Sequence, residues 1–215
     1  MKVGIIGSGL IGGKLGTFFA RAGHEVTFSY SRSEEKLQAL ARDAGSRARH
    51  GTPADAVAGS DAVLLAVHWN RVREVLALAG PLEGTPLITC CLPMSDDDSA
   101  LVLGHTTSGA EALQAMVPRA KVVSAFGTIP SEVLPGVFAA RRRKARPSLL
   151  CCGDVDEAKA VAVELARDIG FDPIDLGPLR MARYLEPFTL AVAQLAYEGE
   201  LGPAVAYRFE WFEEA

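Results

Sequence analysis

Residues Lys2 to Gly12 read Lys-Val-Gly-Ile-Ile-Gly-Ser-Gly-Leu-Ile-Gly; a small-residue stretch follows to Ala22, and His24 to Arg32 read His-Glu-Val-Thr-Phe-Ser-Tyr-Ser-Arg. The apolar run Val3 to Ile6 predicts a strand, Leu10 to Ala22 a helix and Glu25 to Ser29 a second strand. Gly7, Gly9 and Gly12 then form a G-x-G-x-x-G where strand turns into helix, the pattern of a dinucleotide-binding unit. Gly7 permits the tight turn, Gly9 leaves room for a pyrophosphate, and Gly12 lets helix and strand pack closely. Ser8, Leu10 and Ile11 are expected to border the cofactor with the glycines, and the free N–H groups at the start of the helix to face the phosphates.

Such a unit announces which dinucleotide it takes at the end of its second strand. A carboxylate about 20 residues beyond the glycines would accept the ribose 2′-hydroxyl of NAD. This chain has Ser31 and Arg32 there. A hydroxyl and a guanidinium suit a 2′-phosphate through charge-assisted bonds that a carboxylate would repel, so the cofactor expected is NADP(H). Lys36 can add charge to the same pocket or stand solvated on its helix. Ser31 with Glu34 also fits an S-x-x-E capping box for that helix.

The 215 residues suffice for one α/β domain and a small second lobe, and 49% apolar with 22% charged residues is ordinary for a globular protein. A net charge of −4 argues against general binding to nucleic acid or anionic membrane. The exception is local: Arg141 to Arg146 carries five positive charges in six residues, read as a solvated loop or helix face. The amino-terminal glycine spacing and Lys14 argue against a signal peptide, and no run approaches a membrane span. The expectation is a soluble, cytoplasmic protein. Cys90-Cys91 and Cys151-Cys152 have no metal spacing and sit near the ends of strand-like runs. They read as reduced, buried small hydrophobes whose neighbours point to opposite faces.

Strand and helix signals alternate along the rest of the chain. Helices are expected near Glu34–Ala44, after Thr52-Pro53, at Arg71–Ala79 and at Ala110–Val117; strands at Ala48–His50, Asp61–Val67, Leu87–Cys91 and Lys121–Phe126. This predicts a doubly wound parallel sheet, a Rossmann fold, over residues 1–147. Residues 148–215 form a small carboxyl-terminal lobe for substrate or dimerisation, with one further β-α-β turn and a long apolar helix from about Met181 to Tyr197. The polar stretch from Ser95 to Ser108 lacks a period and is a lid candidate.

Ligands bind beyond the carboxyl ends of parallel strands, so the glycine loop, Ser31-Arg32, Val67-His68-Trp69, Leu92-Pro93-Met94 and Gly127-Thr128-Ile129-Pro130 are expected on one cleft. Hydride transfer needs two rings held face to face, so the protein supplies orientation and no nucleophile is assigned. Pro93, Met94, Ile129 and Pro130 would wall the nicotinamide. His68, Thr128 and Pro130 are the positioning candidates, with His105 a further histidine of interest. The Asp96-Asp97-Asp98 cluster reads as solvated loop, with no metal expected.

Taken together, Gly-Ser-Gly-Leu-Ile-Gly, Gly-His-Glu-Val, Ser-Arg-Ser-Glu-Glu-Lys, Val-Val-Ser-Ala-Phe-Gly-Thr-Ile-Pro, Cys-Gly-Asp and Asp-Pro-Ile-Asp-Leu-Gly-Pro-Leu, with Glu186 after it, run nearly end to end. On these blocks the chain resembles the NADPH-dependent oxidoreductases of the deazaflavin coenzyme F-420. The resemblance implies a homodimer in which a Rossmann domain holds NADP(H), Ser31 and Arg32 take the 2′-phosphate, and hydride passes directly between nicotinamide and deazaflavin. The chain departs from that family's pattern at Gly127, where His or Asn usually stands near the ring-binding cleft. A ferric-reductase-linked branch of the same superfamily uses ordinary flavin. The alternatives are therefore an NADPH-dependent reductase of FMN, FAD or a small imine or carbonyl compound, and a non-catalytic NADP(H)-binding sensor.

Overall fold

The structure is a computed structural model that describes residues 1–31, 33–200 and 202–212. The expected amino-terminal unit is present: β1 (Lys2–Ile6), α1 (Leu10–Ala22) and β2 (Glu25–Ser29), with β1 and β2 parallel. The chain continues through α2 (Glu34–Ala44), β3 (Ala48–His50), α3 (Pro53–Val57), β4 (Ala62–Leu65), α4 (Val72–Ala79) and β5 (Pro86–Thr89). It closes with α5 (Gly109–Met116), β6 (Lys121–Ser124), α6 (Leu134–Ala139), β7 (Ser148–Gly153), α7 (Asp156–Ile169), β8 (Asp172–Asp175) and α8 (Ala182–Ala193). The strands form one sheet in the order β3-β2-β1-β4-β5-β6-β7-β8.

β1 to β6 are mutually parallel, and their order reverses between β1 and β4, which opens the crevice where such sheets bind ligands. The further β-α-β turn exists as well, because β7 pairs parallel with β8 across α7. It enters the sheet inverted: Val123 opposes Gly153 and Ser124 opposes Cys152 in an antiparallel ladder. Strand and helix spacing alone could not reveal this, since direction is set by which end of β6 the connection returns to.

Alternation along the strands divides the core in two. Val3, Ile5, Leu64, Ile88, Val123 and Leu149 face a layer from α1, α2, α6 and α7, while Ile6, Val63, Leu65, Leu87, Val122 and Leu150 face α3, α4, α5 and α8. Cys151 belongs to the first core and Cys152 to the second, so the adjacent thiols do point to opposite faces. All four cysteines are free. Burial pushes Cys151 and Cys152 up to about 11 and about 12, which keeps them protonated at neutral pH.

One expectation needs correction. The cap of α2 is Ser33, whose side chain accepts the Lys36 N–H at 3.2 Å, and not Ser31 with Glu34. Glu34 and Glu35 instead occupy the first turn, where their charge suits the helix amino terminus. The long carboxyl-terminal helix has nearly the expected span but changes pitch: α8 ends at Ala193, and a wider helical turn, Gln194–Glu198, continues it without a break. In addition, α6 lies where no helix was expected, just before the basic run. Arg141 of that run packs over Phe138, its guanidinium carbon 4.1 Å from the ring centre.

Candidate functional site

At the carboxyl ends of β1, β2, β4, β5 and β6 lies a cleft of about 980 Å³. Its floor is the glycine loop. Gly7 N–H donates to Ser29 O at 3.1 Å and Ser8 N–H to Tyr30 O at 3.0 Å, while the buried Ser8 hydroxyl donates to Ser29 O at 3.0 Å. The loop is thereby pinned to the end of β2. Gly7 has φ +103°, and an added Cβ would lie 2.3 Å from Ala66 O; at Gly12 it would lie 2.0 Å from Gly7 O. At Gly9 it would meet nothing within 4 Å. Two glycines are thus demanded by the protein itself, and the third keeps a surface open. Gly9 also caps α1 without any side-chain hydrogen bond, which leaves that helix end available to an anion.

The cleft brings together Gly7, Ser8, Gly9, Leu10, Ile11, Ser31, Lys36, Val67, His68, Trp69, Leu92, Met94, Ile129 and Pro130. Three of the candidates do not line it. Gly12 is buried beneath the loop, Pro93 is buried against the start of α5 near Gly109, and Thr128 turns away to bond Tyr207 at 2.6 Å. Arg32 lies outside the described residues. With α2 capped by Ser33, the Ser31 side chain is not engaged as the helix cap and borders the cleft beside Lys36.

Several lining residues carry no motif of their own. Tyr30, at φ +55°, donates its hydroxyl to Glu74 at 2.9 Å, and Glu74 also accepts from Arg71 at 3.0 Å. This chain of three bridges the ends of β2 and β4. Glu74 is held below the usual carboxylate range by the Tyr30 hydroxyl first and the Arg71 guanidinium second. Asn70, Arg71 and Glu74 follow His68-Trp69 directly, so strand-end reasoning carried a few residues further would have found them. Tyr197, whose hydroxyl donates to Glu132 at 3.1 Å, lies across the cleft near Pro130 and Ser131. Nothing in its sequence position could have placed it there.

The stretch expected as a lid is partly structured. Met94 and Leu101 form a β-bridge, Ser95 N–H donates to Ala100 O at 2.8 Å, and Asp97 accepts from the Ser95 and Ser99 hydroxyls at 2.6 and 2.7 Å. Those hydroxyls hold Asp97 down at about 2. Asn70 donates to Asp96 at 2.9 Å, and His68 Nδ1 stands 3.8 Å from Asp98, so this turn is tied across the cleft rim to the end of β4. His105 is exposed, at φ +58°, away from the cleft.

At the end of β6 the wall is Phe126, Gly127, Ile129, Pro130 and Ser131. Phe126 is fully buried at φ +64°, a costly backbone for an aromatic residue. A Cβ added at Gly127 would make ordinary contact with Cys90 O at 3.5 Å, so the glycine leaves space that a side chain could occupy. Lys14 of α1 donates to both the carbonyl and hydroxyl of Ser131 at 3.1 Å, fixing the far end of this loop.

Glu186 of α8 sits outside the cleft but is 4% exposed, accepting the Gly109 and Ala110 N–H groups at 2.8 and 3.0 Å. Burial pushes it up to about 7 against the pull of those two donors. Together with the Arg183–Glu111 pair it fastens α8 to the amino terminus of α5.

No helix in the described residues is long and apolar enough to cross a membrane. Among known proteins, residues 2–93 match the family described as NADP oxidoreductase coenzyme F420-dependent. The metalloreductase STEAP3 of Rattus norvegicus is 32% identical over 88% of this chain and 36% of its own length. The F420-dependent NADP reductase of Methanocaldococcus jannaschii is 29% identical over 63% of this chain and 61% of its own. The chain thus spans about a third of the first relative and about three-fifths of the second. In fold, a protein of Arthrobacter sp. FB24 proposed to be an F420-dependent NADP reductase superposes with TM-score 0.85 at 24% identity, over 98% of this chain and all of that one. A reductive aminase of Aspergillus terreus crystallised with NADPH gives TM-score 0.66 at 22% identity, covering 93% of this chain and 63% of its own. The glycine loop, the topology and the matched segment agree: within an α/β Rossmann-type fold, residues 2–93 match the model of the coenzyme F420-dependent NADP oxidoreductase family.

Proposed function

We propose that this chain is an NADP(H)-dependent oxidoreductase that exchanges hydride with a deazaflavin of the coenzyme F420 type. The observation that carries this reading is the division of the cleft. One end offers the open Gly9, the free end of α1, Ser31 and Lys36, which suit a pyrophosphate and a 2′-phosphate. The other end offers Met94, Ile129, Pro130 and Gly127, an apolar wall that suits flat rings. Bound NADPH would supply the hydride, and the wall would orient the two rings and exclude water.

Each residue then has a task of holding rather than of bond making. Leu10, 73% exposed at the mouth of the loop, covers the dinucleotide. Tyr30, Arg71 and Glu74 border its adenosine half. Tyr197, its hydroxyl bonded to Glu132, faces the acceptor end. The same reading takes the protein as a cytoplasmic homodimer and residues 148–215 as the lobe that completes the acceptor end.

A second acceptor is favoured by one finding: the metalloreductase match extends over 88% of the chain, well past the glycine loop. An ordinary flavin, FMN or FAD, is therefore the alternative ring. The test is anaerobic mixing of the protein with NADPH and the deazaflavin, following the deazaflavin's visible absorbance, with FMN and FAD in parallel. Bleaching of the deazaflavin alone, faster with NADPH than with NADH, is the expected result. Bleaching of flavins only would move the chain to the second reading, and NADPH binding without any turnover would make it a sensor.

A further inference from the structure

The wall at the end of β6 is gripped from behind by a residue far away in the chain. Tyr207 lies 79 residues beyond Thr128, and their hydroxyls meet at 2.6 Å. Thr128 is 1% exposed and faces away from the cleft, while its neighbours Gly127, Ile129 and Pro130 face into it. Tyr207 is itself anchored on two sides. Its carbonyl accepts Ser148 N–H at 2.8 Å, Phe209 N–H donates to Ser148 Oγ at 3.0 Å, and its ring stands edge-on to Phe188 and Phe209, with centroids 5.2 and 5.7 Å away.

The loop it grips begins at Phe126, held at φ +64°, a conformation that persists only when the surroundings impose it. Lys14 holds the loop at Ser131, and Tyr207 holds it at Thr128. We infer that Tyr207 is a positioning residue for the cofactor's reactive end: through Thr128 it sets the Gly127–Pro130 wall against which the nicotinamide ring rests. This rests on the NADP(H) reading above. It predicts that the carboxyl-terminal segment governs one half of the dinucleotide site and leaves the other half alone.

The test compares two probes, NADPH and 2′-phospho-ADP-ribose, which lacks the nicotinamide. Tyr207→Phe keeps the ring packing and removes only the hydroxyl. It should weaken NADPH by about three- to tenfold, the range expected for one buried hydrogen bond, with 2′-phospho-ADP-ribose unchanged within about twofold. Thr128→Val should do the same, Thr128→Ser should restore binding, and the double variant should be no worse than either single one. In the free protein, amide exchange across residues 126–131 should quicken in Tyr207→Phe. Unchanged NADPH affinity in that variant, or equal loss of both probes, overturns the inference. If the unsubstituted protein binds neither probe, it is the NADP(H) reading that fails, and the two failures cannot be confused.

Discussion

On the proposed NADP(H) reading, cofactor specificity falls to single residues, and Arg32 is the first to test. Its guanidinium, in a sequence position where a carboxylate would select NAD, should bond the 2′-phosphate. Arg32→Ala is expected to weaken NADPH by about 1–3 kcal/mol and leave NADH nearly unaffected; equal weakening of both would remove the 2′-phosphate from that position. Glu186 makes a second prediction at this scale. Its folded value, about 7, lies above the usual carboxylate value of 4.5, so the folded state holds the proton more tightly than the unfolded one. Its contribution is fully present below about pH 4.5 and is lost as pH rises through about 7. Urea midpoints at pH 5 and pH 8 should therefore show the unsubstituted protein losing ground to Glu186→Gln at the higher pH; an identical gap at both pH values would show that the carboxyl does not titrate in this window. Ser31, Lys36 and the strand-end residues of the cleft were readable because spacing places them. Tyr197 and Glu132 were not, nor were the partners of Thr128 and Glu186, because those surroundings come from segments distant in the chain and periodicity records only local neighbours.

At the scale of elements, the glycine turn between β1 and α1 separates folding from binding within a few residues. Gly12 is where α1 crosses the backbone of Gly7 and the methyl of Ala66, and Gly9 borders open space. Gly12→Val should cost about 1–3 kcal/mol or more in overpacking, visible as a lower thermal midpoint. Gly9→Val should leave the thermal midpoint nearly unchanged and abolish dinucleotide binding, because its side chain would stand where a pyrophosphate must approach. Normal NADPH binding by Gly9→Val would take the pyrophosphate away from this loop. The amino-terminal β-α-β unit was legible because three glycines, an apolar strand and a small-faced helix all agree. The cap of α2 was harder: Ser31 and Ser33 both precede the same helix, and the pattern with Glu34 favoured the wrong one. With Ser33 as the cap, Ser31 is left to border the cleft.

The whole molecule poses the question of how residues 148–215 relate to the rest. The alternation of strand and helix was plain in the sequence, but the inversion of β7 was not, and that inversion decides how the last unit is fastened. α7 is placed on the same face as α1 and α6, and Ala158, Ala162 and Leu165 share a core with Phe19 and Phe126. His24, buried behind α1, bonds Asp168 of α7 at 3.0 Å. β7 itself contributes to both cores, through Leu149 and Cys151 on one face and Leu150 and Cys152 on the other. Residues 148–215 therefore share both cores with the residues before them, and the chain should unfold as one unit. The cysteines make this measurable, because burial keeps them protonated and unreactive until they are exposed. In a urea series read by alkylation and peptide mass, Cys91 at the end of β5 should lose protection at the same midpoint as Cys151 and Cys152 on β7. Earlier labelling of Cys151 and Cys152 alone would mean that the inverted unit opens by itself, and that the wall held by Tyr207 is released before the glycine loop is disturbed.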